Sequence, residues 1–252
     1  MAEHAFDVPE FFNQNGYFIK RALVTGVQLE TIKQAAIEMA SAALSPAEYE
    51  ADVHYEGAPQ SRTHKGGQTV RRFLDVFDRH PAFADFGKCE SVKLILSALM
   101  NGNIYLVRNH HNSLMTKNPK YSSQTNWHRD IRYWHYEHEN LISVWLALGH
   151  ETRENGALML IPGSHRLEFE RQNFDDKLFF KKNLPENKAL IDSAVLAELA
   201  PGDVLFFHCR TLHAASNNTT DVTKHSLVYT YRPESTIPIE NTRSSQKSDV
   251  KI

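Results

Sequence analysis

Val204-Leu205-Phe206-Phe207-His208-Cys209-Arg210-Thr211-Leu212-His213 is a short apolar run that ends, after a polar break, in an imidazole. Far upstream stands Trp127-His128-Arg129-Asp130. His128 and Asp130 are two residues apart, so on a strand both side chains leave the same face and can grip one ion. A third ligand must then come from a distant strand laid alongside, and His213 fits that place. Two imidazoles and one carboxylate form the facial donor set of a non-haem Fe(II) oxygenase, which leaves the opposite face of the octahedron open. A chain with 14 His produces H-x-D pairs by chance, so the setting has to carry the weight.

That setting is a series of strands. Residues 105–107, 141–148, 158–161, 204–207 and 226–231 are short, apolar or alternating, and bounded by turn residues. Such a series predicts a mainly β protein with flanking helices, a double-stranded β-helix of the cupin-like jelly-roll type. Residues 23–44 place Leu29, Ile32, Ala36, Met39 and Leu44 at roughly helical spacing, and residues 81–99 resume that period. Between these helices, residues 45–69 carry Pro46, Gly57, Pro59, Gly66 and Gly67 among polar side chains, which reads as a long loop of the kind that covers active sites. The expected organisation is one domain over 1–252. A helical and loop part fills about 1–102, the jelly-roll core about 103–235, and a polar, frayed tail about 240–252.

Lys plus Arg number 28 against 30 Asp plus Glu, a net charge of −2, so no global basic field advertises nucleic acid. Cys89 and Cys209 are too few and too far apart for a disulfide framework, which favours a reducing compartment. Met1 to Asp7 show no cationic segment followed by an apolar stretch, and nothing later approaches the roughly eighteen apolar residues of a membrane span. These features predict a soluble cytoplasmic protein, with at most peripheral contact at the cytoplasmic face of the inner membrane. They leave the oligomeric state open.

Three blocks carry a family resemblance. They are Trp127-His128-Arg129-Asp130 with Trp134 beyond it; Glu154-Asn155-Gly156-Ala157-Leu158 running into Ile161-Pro162-Gly163-Ser164-His165; and Pro201-Gly202-Asp203-Val204-Leu205-Phe206-Phe207-His208 leading to Leu212-His213 and Asn217. In order and spacing the chain resembles the phytanoyl-CoA dioxygenase family of Fe(II)- and 2-oxoglutarate-dependent oxygenases, from about residue 105 to 232. Phe11-Phe12-Asn13-Gln14-Asn15-Gly16-Tyr17-Phe18 also looks like that family's opening helix, turn and strand. Within it, Met115-Thr116-Lys117, residues 127–134 and residues 208–214 are similar to bacterial enzymes that hydroxylate 3-deoxy-D-manno-octulosonic acid (Kdo) in lipopolysaccharide.

The resemblance implies that His128, Asp130 and His213 are catalytic metal ligands and that Fe(II), 2-oxoglutarate and O₂ are used together. It also implies a cation about eleven residues past the second His to hold the far carboxylate of 2-oxoglutarate. The family usually has Arg there, whereas this chain has Lys224, a point charge in place of a planar fork. Lys117, eleven residues ahead of His128, is a second candidate for the cosubstrate or for an anionic substrate. Trp134 matches a position that lines the substrate cavity. Arg129, Arg132 and Arg210 lie close in sequence to the ligands and are expected to make the cavity mouth basic, which points to an anionic sugar or glycolipid substrate. A small-metabolite or acyl-thioester hydroxylase is the enzymatic alternative, and a non-catalytic cupin-like binding module the alternative outside enzymes.

Overall fold

A computed structural model describes residues 7–252; Met1 to Phe6, on which the reading of the N-terminus partly rests, lie outside the described residues. The chain opens with helix α1 (Val8–Asn15), whose N-terminus is capped by Asp7 accepting from the Glu10 amide at 3.0 Å. Gly16 follows at φ +76°, where an added Cβ would fall 2.4 Å from His165 Nδ1, and it turns the chain directly into β1 (Tyr17–Lys20). The helix-turn-strand opening implied by the resemblance is therefore present.

Helix α2 (Gly26–Ser41) buries Leu29, Ile32, Ala35, Ala36 and Met39, one apolar stripe at the anticipated period. The stretch read as a long loop contains two short elements, β2 (Ala47–Tyr49) and α3 (Glu50–Val53), before β3 (Val70–Leu74). The helical period over 81–99 is divided between α4 (Pro81–Gly87) and α5 (Glu90–Leu99). Gly87 sits where a Cβ would meet the Leu106 side chain at 2.8 Å, so the break lies at a close approach to the sheet.

Strands then dominate: β4 (Ile104–Lys117), β5 (Thr125–His128), β6 (Ile142–Ala147) and β7 (Leu158–Leu160). After helix α6 (Pro185–Ile191) come β8 (Val195–Leu196), β9 (Val204–His208), β10 (His213–Ala215), β11 (Lys224–Pro233) and β12 (Val250–Lys251). They form an antiparallel sheet in the order β1-β9-β6-β11-β4-β3-β2, with β12 on β4, and a smaller sheet β5-β10-β7-β8. This is the jelly-roll arrangement with flanking helices.

Alternation assigns the two faces of the large sheet. Ile142, Val144 and Leu146, Val204 and Phe206, and Leu227, Tyr229 and Tyr231 pack with α2, α4 and α5 in one core. Trp145 and Ala147, Leu205 and Phe207, and Val228 point the other way, towards Leu158, Leu160 and Ala215 of the small sheet. Both faces are covered, which is why these strands read as continuous apolar runs. Polar groups on the inner face are therefore enclosed between the sheets. Among the described residues no helix is long and apolar enough to cross a membrane.

The C-terminal segment differs from the frayed tail expected of its polarity. Val250 pairs with Leu106, Asp249 takes the Arg232 guanidinium at 2.6 Å, and Ser244 is fully buried. Ser244 and Asp249 find partners on β4 and β11 and Lys247 pairs with Asp75, so the segment is pinned at these points although many of its polar side chains are exposed.

Candidate metal centre and its cavity

His128 and His213 are direct cross-strand partners, β5 against β10, so the small sheet itself brings the two remote histidines together. Asp130 lies just past β5, at the start of a 3-10 turn (Asp130–Tyr133), and not within the strand. Arg129 between them is still extended, at φ −104° and ψ 139°, so the alternation carries through and both ligand side chains leave the same face. Asp130 Oδ1 stands 3.8 Å from His128 Nε2 and 3.4 Å from His213 Nε2.

The donor atoms of all three lie within 4.8 Å of one another, and all three residues are buried. Each imidazole donates its other nitrogen to a backbone carbonyl: His128 Nδ1 to Asn126 at 2.8 Å and His213 Nδ1 to Thr211 at 2.9 Å. That fixes the tautomer with the Nε2 lone pairs facing Asp130, the orientation a metal ligand needs. Burial, reinforced by His213 and Arg132, holds the His128 imidazolium well below its usual range, so the ring is neutral and able to ligate. Burial alone would raise the Asp130 carboxyl, but His111 and His213 outweigh it and hold it well below the usual carboxylate range. Ser143 donates to Asp130 Oδ2 at 3.0 Å. The three residues can hold a divalent ion, and their neutral-neutral-anionic character suits Fe(II).

These atoms open into a cavity of about 330 Å³ between the sheets. One end is built from cations and carboxylates. Lys224 and Lys117 are register partners on β11 and β4, and both are buried and face the cavity. Lys224 Nζ donates to Glu151 at 2.8 Å, while Glu151 also accepts from Trp145 Nε1 at 2.9 Å and Ser226 Oγ at 2.6 Å. Arg71 reaches the same end from β3, paired with Glu50 at 3.4 Å and donating to Ser123 at 3.0 Å and Thr125 at 2.8 Å. The other end is formed by Trp134, which stacks on His110 with centroids 4.7 Å apart, together with Tyr133, Arg132 and Arg243.

The basic mouth needs correction at two positions. Arg129 points to the face opposite His128 and Asp130, as a residue between them on extended chain must, and donates to the Ser164 carbonyl at 2.9 Å with Phe169 under its guanidinium. Arg210, in the turn between β9 and β10, is held by Glu168 at 2.6 Å and Glu139 at 3.4 Å. Neither lines the cavity, whereas Arg132 does, and its charge reaches His128.

Sequence reasoning passed over His111, whose Nε2 is 3.0 Å from Asp130 Oδ1, as well as Arg71, Glu151, Trp145 and Arg243. A signal existed for two further lining residues: one step of two back along β4 from Lys117 gives Met115, and one step of two forward along β11 from Lys224 gives Ser226, both lining the cavity.

Comparison with known proteins agrees with this geometry. The chain matches the profile of the phytanoyl-CoA dioxygenase (PhyH) family over residues 12–226. An ectoine dioxygenase of Stutzerimonas stutzeri is 27% identical over 179 residues, which cover 64% of this chain and 58% of that protein. One from Sphingopyxis alaskensis is 25% identical over 227 residues, covering 83% and 69% respectively. The chain thus spans well under two thirds of the first relative. Among solved structures, the epimerase SnoN in complex with Fe3+, alpha ketoglutarate and nogalamycin RO superposes with a TM-score of 0.75 at 16% identity, covering 96% of this chain and 91% of SnoN. EctD from S. alaskensis in its apoform superposes at 0.73 and 22%, covering 95% and 80%. These likenesses speak to the shared fold, and the profile match covers most of the sequence. The chain belongs to the phytanoyl-CoA dioxygenase family.

Proposed function

We propose that the protein is an Fe(II)- and 2-oxoglutarate-dependent dioxygenase that hydroxylates an unactivated C–H bond of an anionic sugar of the Kdo class, carried on a lipid A precursor. One observation carries the oxygenase reading. His128, Asp130 and His213 converge with fixed tautomers on a cavity that has buried ammonium groups at one end and guanidinium groups at the other. When bound, iron would activate O₂, the oxidant, while 2-oxoglutarate would give up two electrons on decarboxylation to succinate and CO₂ and the C–H bond the other two, so that R–H becomes R–OH.

The chain's own residues do the positioning. The three ligands occupy one face of an ion and leave the side towards the cavity for cosubstrate and O₂. The lysine end suits the far carboxylate of 2-oxoglutarate, and Trp145 and Phe207 give that end an apolar wall that excludes water. Trp134 and Tyr133 offer flat surfaces against which a sugar ring can stack. Among the described residues neither Arg132 nor Arg243 has a carboxylate within salt-bridge distance: Arg132 donates to the Tyr55 hydroxyl at 3.2 Å and to the Lys177 carbonyl at 3.3 Å. Free guanidinium capacity at the mouth supports a substrate with carboxylate or phosphate groups.

Succinate release should be stimulated by a Kdo-bearing lipid A precursor, more at low than at high salt, and little by neutral sugars or acyl thioesters. Arg132→Ala should raise the KM for the anionic substrate about tenfold, the scale of one charge-assisted hydrogen bond. Stimulation by a neutral metabolite or an acyl thioester, with the Kdo lipid ignored, would remove the sugar assignment. Absence of succinate with every substrate would favour a binding module.

A further inference from the structure

The cosubstrate end of the cavity has an uneven charge balance. Glu151 sits on Lys224 at 2.8 Å, with both side chains almost wholly inaccessible. Glu50 sits on Arg71, and Glu48 reaches the same guanidinium at 3.7 Å. Lys117 is the third cation in this group, and among the described residues it has no carboxylate within salt-bridge distance. Its Nζ donates to the Ser123 carbonyl at 3.3 Å, and an ammonium has two further protons to place. Its stem is pinned by Gly156 (φ +76°), where any Cβ would fall 2.8 Å from Lys117 Cδ and Cε. Among the described residues the chain therefore buries an ammonium in a cavity wall with no carboxylate in direct contact. Burial of an unpaired charge is costly, and a carboxylate brought into contact with it would offset that cost.

We propose that Lys117 is the group that receives the far carboxylate of 2-oxoglutarate, while Lys224, at the position where the family usually has Arg, is committed to Glu151 and acts as a positioning residue. The inference rests on the oxygenase reading above. It reverses the simple transfer of the anchor role to Lys224. Glu151 accepts from Lys224, Trp145 and Ser226 at once, so the ammonium of Lys224 is part of a satisfied network that fixes the wall. Lys117 faces it across the β4–β11 register and projects into the same cavity.

The groups around Lys117 set its protonation. Burial, then Arg71 and Lys224, push its ammonium down to about 7, against the attraction of Glu50 and Glu151. Only the protonated form attracts a carboxylate. Affinity for 2-oxoglutarate is then full below about pH 7 and falls as pH rises through that value, by up to about tenfold per unit, because proton uptake becomes coupled to binding.

The test is calorimetric binding of 2-oxoglutarate to the full chain loaded with Mn(II), a redox-inert probe ion, between pH 6 and 9. Three variants accompany the wild type: Lys117→Met, Lys117→Arg and Lys224→Met, each with a thermal melt. Expected are a wild-type affinity that weakens above pH 7, a loss of at least thirtyfold at pH 6.5 in Lys117→Met, and affinity without that pH dependence in Lys117→Arg. Lys117→Met should also melt at or above the wild-type temperature at pH 6.5, since it removes an unpaired buried charge, whereas Lys224→Met should melt lower because Glu151 is orphaned. Wild-type binding that is flat across the pH range, or unchanged in Lys117→Met, overturns the assignment and leaves the oxygenase reading intact. Failure of the wild type to bind 2-oxoglutarate at any pH removes both.

Discussion

At the scale of single residues, the site depends on side chains whose second contacts are already fixed. His213→Ala or Asp130→Ala removes one of three converging donors while leaving the core clusters untouched, so metal binding should fall by orders of magnitude with little change in melting temperature. Metal analysis beside a thermal melt checks it. Glu151 is a different case, because its carboxylate neutralises Lys224 and accepts from Trp145 and Ser226 in a fully buried place. Glu151→Ala leaves an unpaired ammonium and should cost roughly 3–5 kcal/mol, readable by chemical denaturation. A loss below 1 kcal/mol would mean that water replaces the carboxylate.

Elements show where sequence reading succeeds and where it stops. The apolar runs of β6, β9 and β11 were legible because both faces of the sheet are covered, and Gly16 marked the α1–β1 turn because few other residues tolerate its backbone. The H-x-D pair and His213 were legible through spacing and resemblance. What escaped lies at an irregularity. Along β4 and β11 the register jumps from Tyr229↔Asn112 to Thr230↔Val107, so residues 108–111 form a bulge that breaks the period of two and turns both His110 and His111 to the cavity. No local pattern in Arg108-Asn109-His110-His111 announces it. The C-terminal segment, whose polarity read as fraying, clasps this bulge: Asn109 donates to the Ser244 and Lys247 carbonyls at 2.9 and 2.7 Å, and His110 Nε2 meets Ser244 Oγ at 2.8 Å. Such pairings join residues far apart in sequence, and a single sequence does not display them. Arg129 and Arg210 were misplaced for a related reason, since nearness in sequence says nothing about the face a side chain takes. Removal of residues 241–252 should unpair Arg232 and the bulge, lowering the melting temperature by several degrees and loosening Trp134 over the cavity. Indole fluorescence during the melt reports the second effect. An unchanged melt would restore the frayed-tail reading.

At the scale of the whole molecule, the slight net negative charge coexists with a cavity whose inner end holds Arg71, Lys117 and Lys224 and whose mouth holds Arg132 and Arg243. Acidic groups are spent on pairing inside and on the outer surface, and the excess of cations is local, which is the charge pattern for drawing anions to one place. The jelly roll makes this possible by stacking strands remote in sequence, so that β5, the turn after it and β10 contribute the three donors that can hold a metal while β3, β4 and β11 contribute the cations. On the proposed function the two sets act together, so that an ion held by His128, Asp130 and His213 and an anion held at the lysine end are bound as one unit. The most direct measurement is anaerobic titration of 2-oxoglutarate into the protein with and without Fe(II), with Asp130→Ala alongside. Expected are one Fe(II) per chain, 2-oxoglutarate affinity that rises at least tenfold when iron is present, and no such gain in Asp130→Ala. Iron binding unaffected by loss of Asp130, or 2-oxoglutarate affinity indifferent to iron, would contradict joint binding at this site.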